Sequence, residues 1–228
     1  MRSSNELDRS RYAAPQLYDL LRQKIVSLEM LPGAPLSRVQ LSAQFSVSQT
    51  PVREALLKLA EERLVDVFPQ AATNVSLIDI EFAQETHFLR LSLELEIVRE
   101  LAIKNDAALV AELKLLLSRQ SVLCDNEDFD GFTLADEAFH RSMYSAVGKE
   151  ALWRLVRSRS GHIDRLRRLH LPVVGKLNRI FNDHSRIVAA IEQGDPALAQ
   201  QSLRAHLSET LAYAAQIRTD HPQFFTTP

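Results

Sequence analysis

Apolar and polar positions alternate in two different rhythms along this chain, and the switches between them mark its parts. From Gln16, the residues Leu17, Leu20, Leu21, Ile25 and Leu28 recur at helical spacing and predict an amphipathic helix. Leu31-Pro32-Gly33-Ala34-Pro35 ends it, because proline has no amide proton to donate and glycine permits a turn. Ser37 can cap a second, short helix with Val39, Leu41 and Phe45 on its inner side. After a break at Ser46-Val47, Ser48 or Thr50 can cap a third helix, with Pro51 and Glu54 in its first turn. Ala55, Leu56, Leu59 and Ala60 form its apolar stripe, which Leu64 closes. The rhythm then changes. Val65-Asp66-Val67-Phe68 and Thr73-Asn74-Val75-Ser76 alternate as half-buried strands do, joined by Pro69-Gln70-Ala71-Ala72. Three helices followed by a β-hairpin make a winged helix-turn-helix.

Helical spacing returns at Asp79 and persists. Helices are expected near 79–104, 107–123, 128–147, 149–170, 175–193 and 196–217, separated by cap, Gly and Pro signals such as Asn105-Asp106 and Gly194-Asp195-Pro196. Short connections between helices favour an antiparallel bundle. The expected fold is therefore mainly α: a winged helix-turn-helix over 15–77, then an all-α antiparallel bundle over 78–217. A polar arm (1–14) precedes them and a tail (218–228) follows.

Composition adds bounds. The 228 residues suffice for one small and one medium domain. A net charge of −2 gives no general attraction to nucleic acid, so any DNA-binding surface has to be a local patch. One cysteine, Cys124, excludes an intrachain disulfide and fits a reducing cytosol. Met1–Arg11 is too polar for a secretory signal, and no apolar stretch is long enough to span a membrane. A cytoplasmic protein is expected.

Several side chains carry candidate chemistry. Asp136 and His140 are four residues apart and share one helix face. His184 and His206 fall in the last two long helices, so three helices of one bundle could aim a carboxylate and three imidazoles at one interior point. Taken singly, each histidine is as readily a surface residue or a satisfied core residue. Arg90 either pairs with Glu94 one turn on or faces a cavity. Arg154, Arg157, Arg159, Arg165, Arg167 and Arg168, with His162 and His170, form a basic run. The interleaved Leu155, Val156, Ile163, Leu166 and Leu169 make it the solvated face of an amphipathic helix, with a second nucleic-acid surface as the alternative. Cys124 and Trp153 are expected to be packing residues.

Pro32-Gly33-Ala34-Pro35-Leu36 followed by Ser48-Gln49-Thr50-Pro51-Val52-Arg53-Glu54-Ala55-Leu56 resembles the DNA-binding domain of GntR-family regulators. The second half is similar to the all-helical FCD effector domain of the FadR-like branch. The resemblance runs from about Gln16 to Ala215. It implies a recognition helix whose first residues meet double-stranded DNA in the major groove. Ser48 and Thr50 would then contact phosphates, Gln49 could pair with adenine, Arg53 could reach guanine or a phosphate, and Arg38 is a candidate backbone contact. Many relatives have Arg where this chain has Gln49, and a basic residue and Gly at the wing where it has Ala71-Ala72. The resemblance also implies that Asp136, His140, His184 and His206 hold a divalent metal. Zinc comes first, with nickel, iron or manganese as alternatives. Arg90 would clamp a small carboxylate effector. The expected protein is a homodimeric, ligand-responsive repressor and not an enzyme. A metal sensor and, further off, a metal-dependent enzyme are its rivals.

Overall fold

The computed structural model describes residues 7–67 and 73–226, apart from the side chains of Glu209 and Thr210. Helix α1 (Ala13–Val26) buries Leu17, Leu21 and Ile25 against α3 (Gln49–Glu61), which presents Val52, Leu56 and Leu59. Between them α2 (Arg38–Gln44) begins at Ser37, whose hydroxyl accepts the Gln40 N–H at 3.3 Å. Val39, expected on the inner side, is 64% exposed. Two residues of helix turn about 200°, so Val39 points away from the face that Leu41 and Phe45 bury.

Strands β1 (Val65–Val67) and β2 (Thr73–Val75) pair antiparallel, with Val65 opposite Val75. Helix α1 ends at Val26, before the stretch 31–35 expected to stop it: Ser27 caps it and Leu28, expected within it, is left-handed at φ +64°. The Pro-Gly stretch serves the wing instead. With Gly33 at φ +82°, its N–H donates to the Val75 carbonyl (2.8 Å), and the Leu36 N–H donates to that of Thr73 (2.6 Å). Residues 33–36 thus cover the second edge of β2. The wing tip, with Ala71-Ala72, lies outside the described residues.

The second half is a helical bundle. Helix α4 (Ile80–Lys104) starts at Asp79, whose carboxylate accepts the Phe82 N–H, and ends at Asn105 in the left-handed conformation. It packs against α10 (Pro196–Ala212) and α9 (Lys176–Glu192). Helix α5 (Ala107–Asp125) packs against α6 (Phe129–Ala146) and α9. Val98, Leu101, Leu113, Met143, Ile187 and Leu203 meet in the core. Cys124 and Trp153 are buried, as their packing roles require.

Two expected helices are each two. The stretch 149–170 divides into α7 (Glu150–Arg159) and α8 (Gly161–His170). The Ser160 hydroxyl bonds the Arg157 carbonyl (3.0 Å) and Asp164 (2.6 Å) at the break. The stretch 196–217 divides at Tyr213 into α10 and α11 (Ala214–Asp220), and a 3-10 turn follows at Pro222–Phe224. The basic run is a solvated face only in part: Arg154 of α7 is exposed, as expected, whereas α8 is not a solvated face. Helix α8 lies between the winged domain and the bundle, so Arg165 is 0% exposed and its guanidinium donates to the Ser76 carbonyl at 2.7 Å.

Gly161 sits where the two halves meet. A Cβ there would lie 2.5 Å from Cδ2 of Leu64, itself fully buried. Gly161→Ala is expected to cost about 1–3 kcal/mol by overpacking. Chemical denaturation checks this, and a variant as stable as the parent would show that Leu64 has room to move.

Candidate metal centre

Helix α6 places Asp136 and His140 on its inner face, one turn apart. Helix α9 contributes His184 and α10 contributes His206. All four side chains are buried, and one ligand atom from each lies within 4.8 Å of every other. The Nε2 of His206 is 3.2 Å from that of His184 and 3.3 Å from that of His140. Asp136 Oδ1 stands 3.6 Å from His184 Nε2 and has no hydrogen-bond partner among the described residues.

The far side of each ring determines what this convergence means. His184 Nδ1 is 2.8 Å from Gln120 Oε1, while the Gln120 amide nitrogen donates to the Ala135 carbonyl at 3.3 Å. Gln120 is therefore an acceptor toward His184, so Nδ1 carries the proton. His140 Nδ1 lies 2.9 Å from Glu94 Oε2, a carboxylate that can only accept. His206 Nδ1 faces Asp183 Oδ2 at 3.7 Å, too far for a direct bond but biased the same way. With protons drawn to the outer nitrogens, three Nε2 lone pairs and a carboxylate oxygen point at one another. That arrangement repels itself unless a cation lies between, and buried histidines that bind metals are oriented in this way.

The electrostatics agree. Burial pushes His140 and His184 below the ordinary histidine range, His184 well below it, with the His206 ring adding to the effect on His184. Neutral imidazole is the ligand form. Burial alone would raise Asp136, but Arg167, His140 and His184 outweigh it and hold the carboxyl well below its usual value. Arg167 donates to the other oxygen, Asp136 Oδ2, at 2.7 Å. Donors of this type, three imidazoles and one carboxylate, suit zinc and its first-row neighbours.

Arg90 satisfies both expectations. Its Nε donates to Glu94 Oε1 at 2.7 Å, while its buried Nη2 has no hydrogen-bond partner among the described residues. Cavities open on two sides of the ligand set, and Arg90 and Arg167 border both. One is also lined by His87, His170, Lys176 and His206, the other by Asp136, His140 and Arg157. At the opposite end of the chain, Ser48, Gln49, Thr50 and Arg53 are exposed together at the start of α3, and Arg38 is exposed at the start of α2. The Ser48 hydroxyl makes no hydrogen bond to the helix it precedes.

Spacing did not reveal Gln120, Asp183 or Arg167 as supports of the centre, and Glu94 was visible only as a partner for Arg90. If the cluster holds zinc, Gln120→Ala is expected to lower its affinity about 10–100-fold, because His184 would lose the acceptor that fixes its tautomer. Competition with a chromophoric chelator measures this, and unchanged affinity would show that Gln120 is packing alone.

Comparison with known proteins gives a consistent picture. Residues 13–75 match the family model for bacterial regulatory proteins of the gntR family, and residues 85–209 match the FCD domain. The chain is 38% identical, over 92% of its length and 89% of the relative's, to an HTH-type transcriptional regulator in an unstable DNA locus of Streptomyces ambofaciens. It is 30% identical to the gluconate operon transcriptional repressor of Bacillus subtilis strain 168, covering 83% of this chain and 79% of that one. It is 28% identical to the transcriptional repressor RspR of Escherichia coli K12, covering 92% of each. Among solved structures, Escherichia coli McbR/YncC shares the fold with a TM-score of 0.76 at 22% identity, covering 90% of this chain and 98% of that one. A regulator described as GntR from Rhodococcus sp. RHA1 gives 0.71 at 25% identity, covering 90% and 97%.

Proposed function

The chain belongs to the GntR family of bacterial regulatory proteins and carries an FCD domain, and from that premise we propose that it is a repressor released by a small carboxylate bound at a zinc site in the helical domain. Proteins of this family are transcriptional regulators that bind DNA operators and take a small-molecule effector through the FCD domain. The observation that carries the reading is the convergence of three Nε2 atoms and Asp136 Oδ1 on one buried point beside an Arg90 Nη2 that has no hydrogen-bond partner among the described residues.

Asp136, His140, His184 and His206 would hold the ion. Bound zinc would supply a Lewis-acidic position for a carboxylate oxygen. Arg90 supports the effector's second oxygen, since a guanidinium fork fits a carboxylate and this one has a buried donor to spare. Arg167 and Lys176 add positive charge to the cavity walls, which favours an acid over a neutral molecule.

The response runs through α8. Arg167 touches Asp136 from that helix, and Arg165 and His162 of the same helix grip the winged domain at Ser76 and at the Arg63 carbonyl. An effector that prefers one placement of α8 shifts the population of winged-domain orientations. On the DNA side, Ser48, Gln49, Thr50 and Arg53 enter the major groove, with Arg38 on the backbone. A homodimer would present two such helices to a two-fold operator. RspR and the gluconate operon regulator are repressors, and this chain's likeness to them supports the same sign of control.

Thermal-shift measurement with malonate, lactate and gluconate tests the reading. The zinc-loaded protein is expected to gain about 2–3 kcal/mol from a matching acid at about a hundred times its Kd, and the zinc-stripped protein much less. An acid that stabilises both forms equally would contradict the metal-bridged site.

A further inference from the structure

Residues 222–226 are built into the junction between the two halves. Residues Ser76 to Asp79 link β2 to α4. The Ile78 N–H donates to the Phe224 carbonyl at 2.7 Å, and the Thr226 N–H donates to the Ile78 carbonyl at 3.1 Å. Ile78 and Phe225 thus form a parallel bridge. Phe225 is buried in one cluster with Ile78, Ala83, Ile163, Leu166 and Ile217. From the other side, Arg165 donates to the carbonyls of Ser76 (2.7 Å) and Leu77 (3.5 Å), and the Asp79 N–H donates to His162 Nδ1 at 2.9 Å. A linker in which backbone groups of four successive residues are engaged from two directions is not a free hinge.

Helix α11, which leads into that segment, begins beside one of the two cavities that flank the candidate ligands. Between α10 and α11 the chain bends at Tyr213 (φ −98°, ψ 0°). The Tyr213 ring lies 4.2 Å from the ring of His170, and Lys176 Nζ stands 5.9 Å from its centroid. His170 and Lys176 line the cavity together with His206 and Leu207, which lie on α10 two turns before the bend.

We propose that residues 222–226 are a strap that fixes the winged domain against the helical domain, and that Tyr213 joins this strap to the effector cavity. Removing the strap frees the linker without touching the DNA-contacting end of α3 or the four candidate ligands. The strap itself stands on the backbone bridge alone. Its link to the cavity rests on the metal-site reading above.

Hydrogen exchange on the full chain tests both parts. In Phe225→Asp, and in a chain ended at His221, the Ile78 amide is expected to exchange at least about tenfold faster, with Leu113 in the bundle core unchanged. In spin-diluted protein labelled at Val39→Cys and Leu115→Cys, on a Cys124→Ser background, the distance distribution is expected to broaden. A parent-like distribution in both strap variants would overturn the strap. The probe for the link is zinc alone, added to stripped protein with bound zinc measured. Exchange at Ile78 should slow about fivefold in the parent and stay unchanged in Tyr213→Ala at equal zinc content. Equal slowing in both proteins, or none in a zinc-loaded parent, would overturn the link. A parent that takes up no zinc would sink the metal reading and with it the link, while the strap variants still decide the strap.

Discussion

His184→Ala is expected to lower zinc affinity at least about a hundredfold and to leave the repressor deaf to its effector. Structural zinc sites bind with about 10–16 kcal/mol, so one of four ligands carries roughly 3 kcal/mol. His184 is the best anchored of the four. It is fully buried, its Nδ1 is held by Gln120, and its ring stacks on Phe139 with centroids 4.2 Å apart. The ring nitrogen in contact with its Nε2 belongs to His206, which is already a ligand candidate. Operator binding by the effector-free variant should stay close to that of the parent, since α3 is remote from the change. Chelator competition and fluorescence anisotropy on an operator fragment read the two properties separately. Zinc affinity within a few-fold of the parent would show that the centre does not need His184.

Arg53→Ala is expected to weaken operator binding by about 2–6 kcal/mol. A bidentate base contact or its phosphate equivalent is worth roughly 1–3 kcal/mol, and a symmetric dimer loses it twice. The side chain is exposed one helical turn into α3, beside Gln49 and Thr50, and supports no packing in the described structure. Folding and zinc content should therefore be unchanged. The salt dependence separates the two roles. A lost phosphate contact flattens the slope of log K against log salt by about one unit per contact. A lost base contact leaves the slope alone and relaxes preference at one operator position. Parent-like affinity would place the DNA interface elsewhere on the winged domain.

Local chemistry was legible in the sequence, and contacts across the fold were not. The caps at Ser37, Asp106 and Asp195 were visible because a cap needs only its own helix's first N–H groups, and each accepts such a bond here, whereas the Ser48 hydroxyl, expected to cap α3, does not. The Asp136–His140 pair was visible because four residues make one turn. His184 and His206 could be assigned to two later helices of the same bundle, but no spacing connects α6, α9 and α10, so that all four meet at one point was implied only by the family resemblance. The break at Ser160-Gly161 has no proline to announce it. Gly161 lies there against Leu64, nearly a hundred residues earlier, a contact that no local pattern could reveal. Helix α8 looked amphipathic because its charges were assumed to face water. In the fold they face backbone carbonyls of the winged domain and the carboxylates of Asp136 and Asp130. The bridge between Ile78 and Phe225 pairs two segments that carry no strand pattern at all, so periodicity could not predict it.

Whether the buried Asp-His-His-His cluster holds a metal ion can be read from a crystal grown with zinc and measured on both sides of the zinc absorption edge. One strong anomalous peak per chain is expected, at about 2.0–2.2 Å from the Nε2 atoms of His140, His184 and His206 and from an Asp136 oxygen. A map with no peak at that point, or with the peak on other residues, would show that the cluster does not hold zinc.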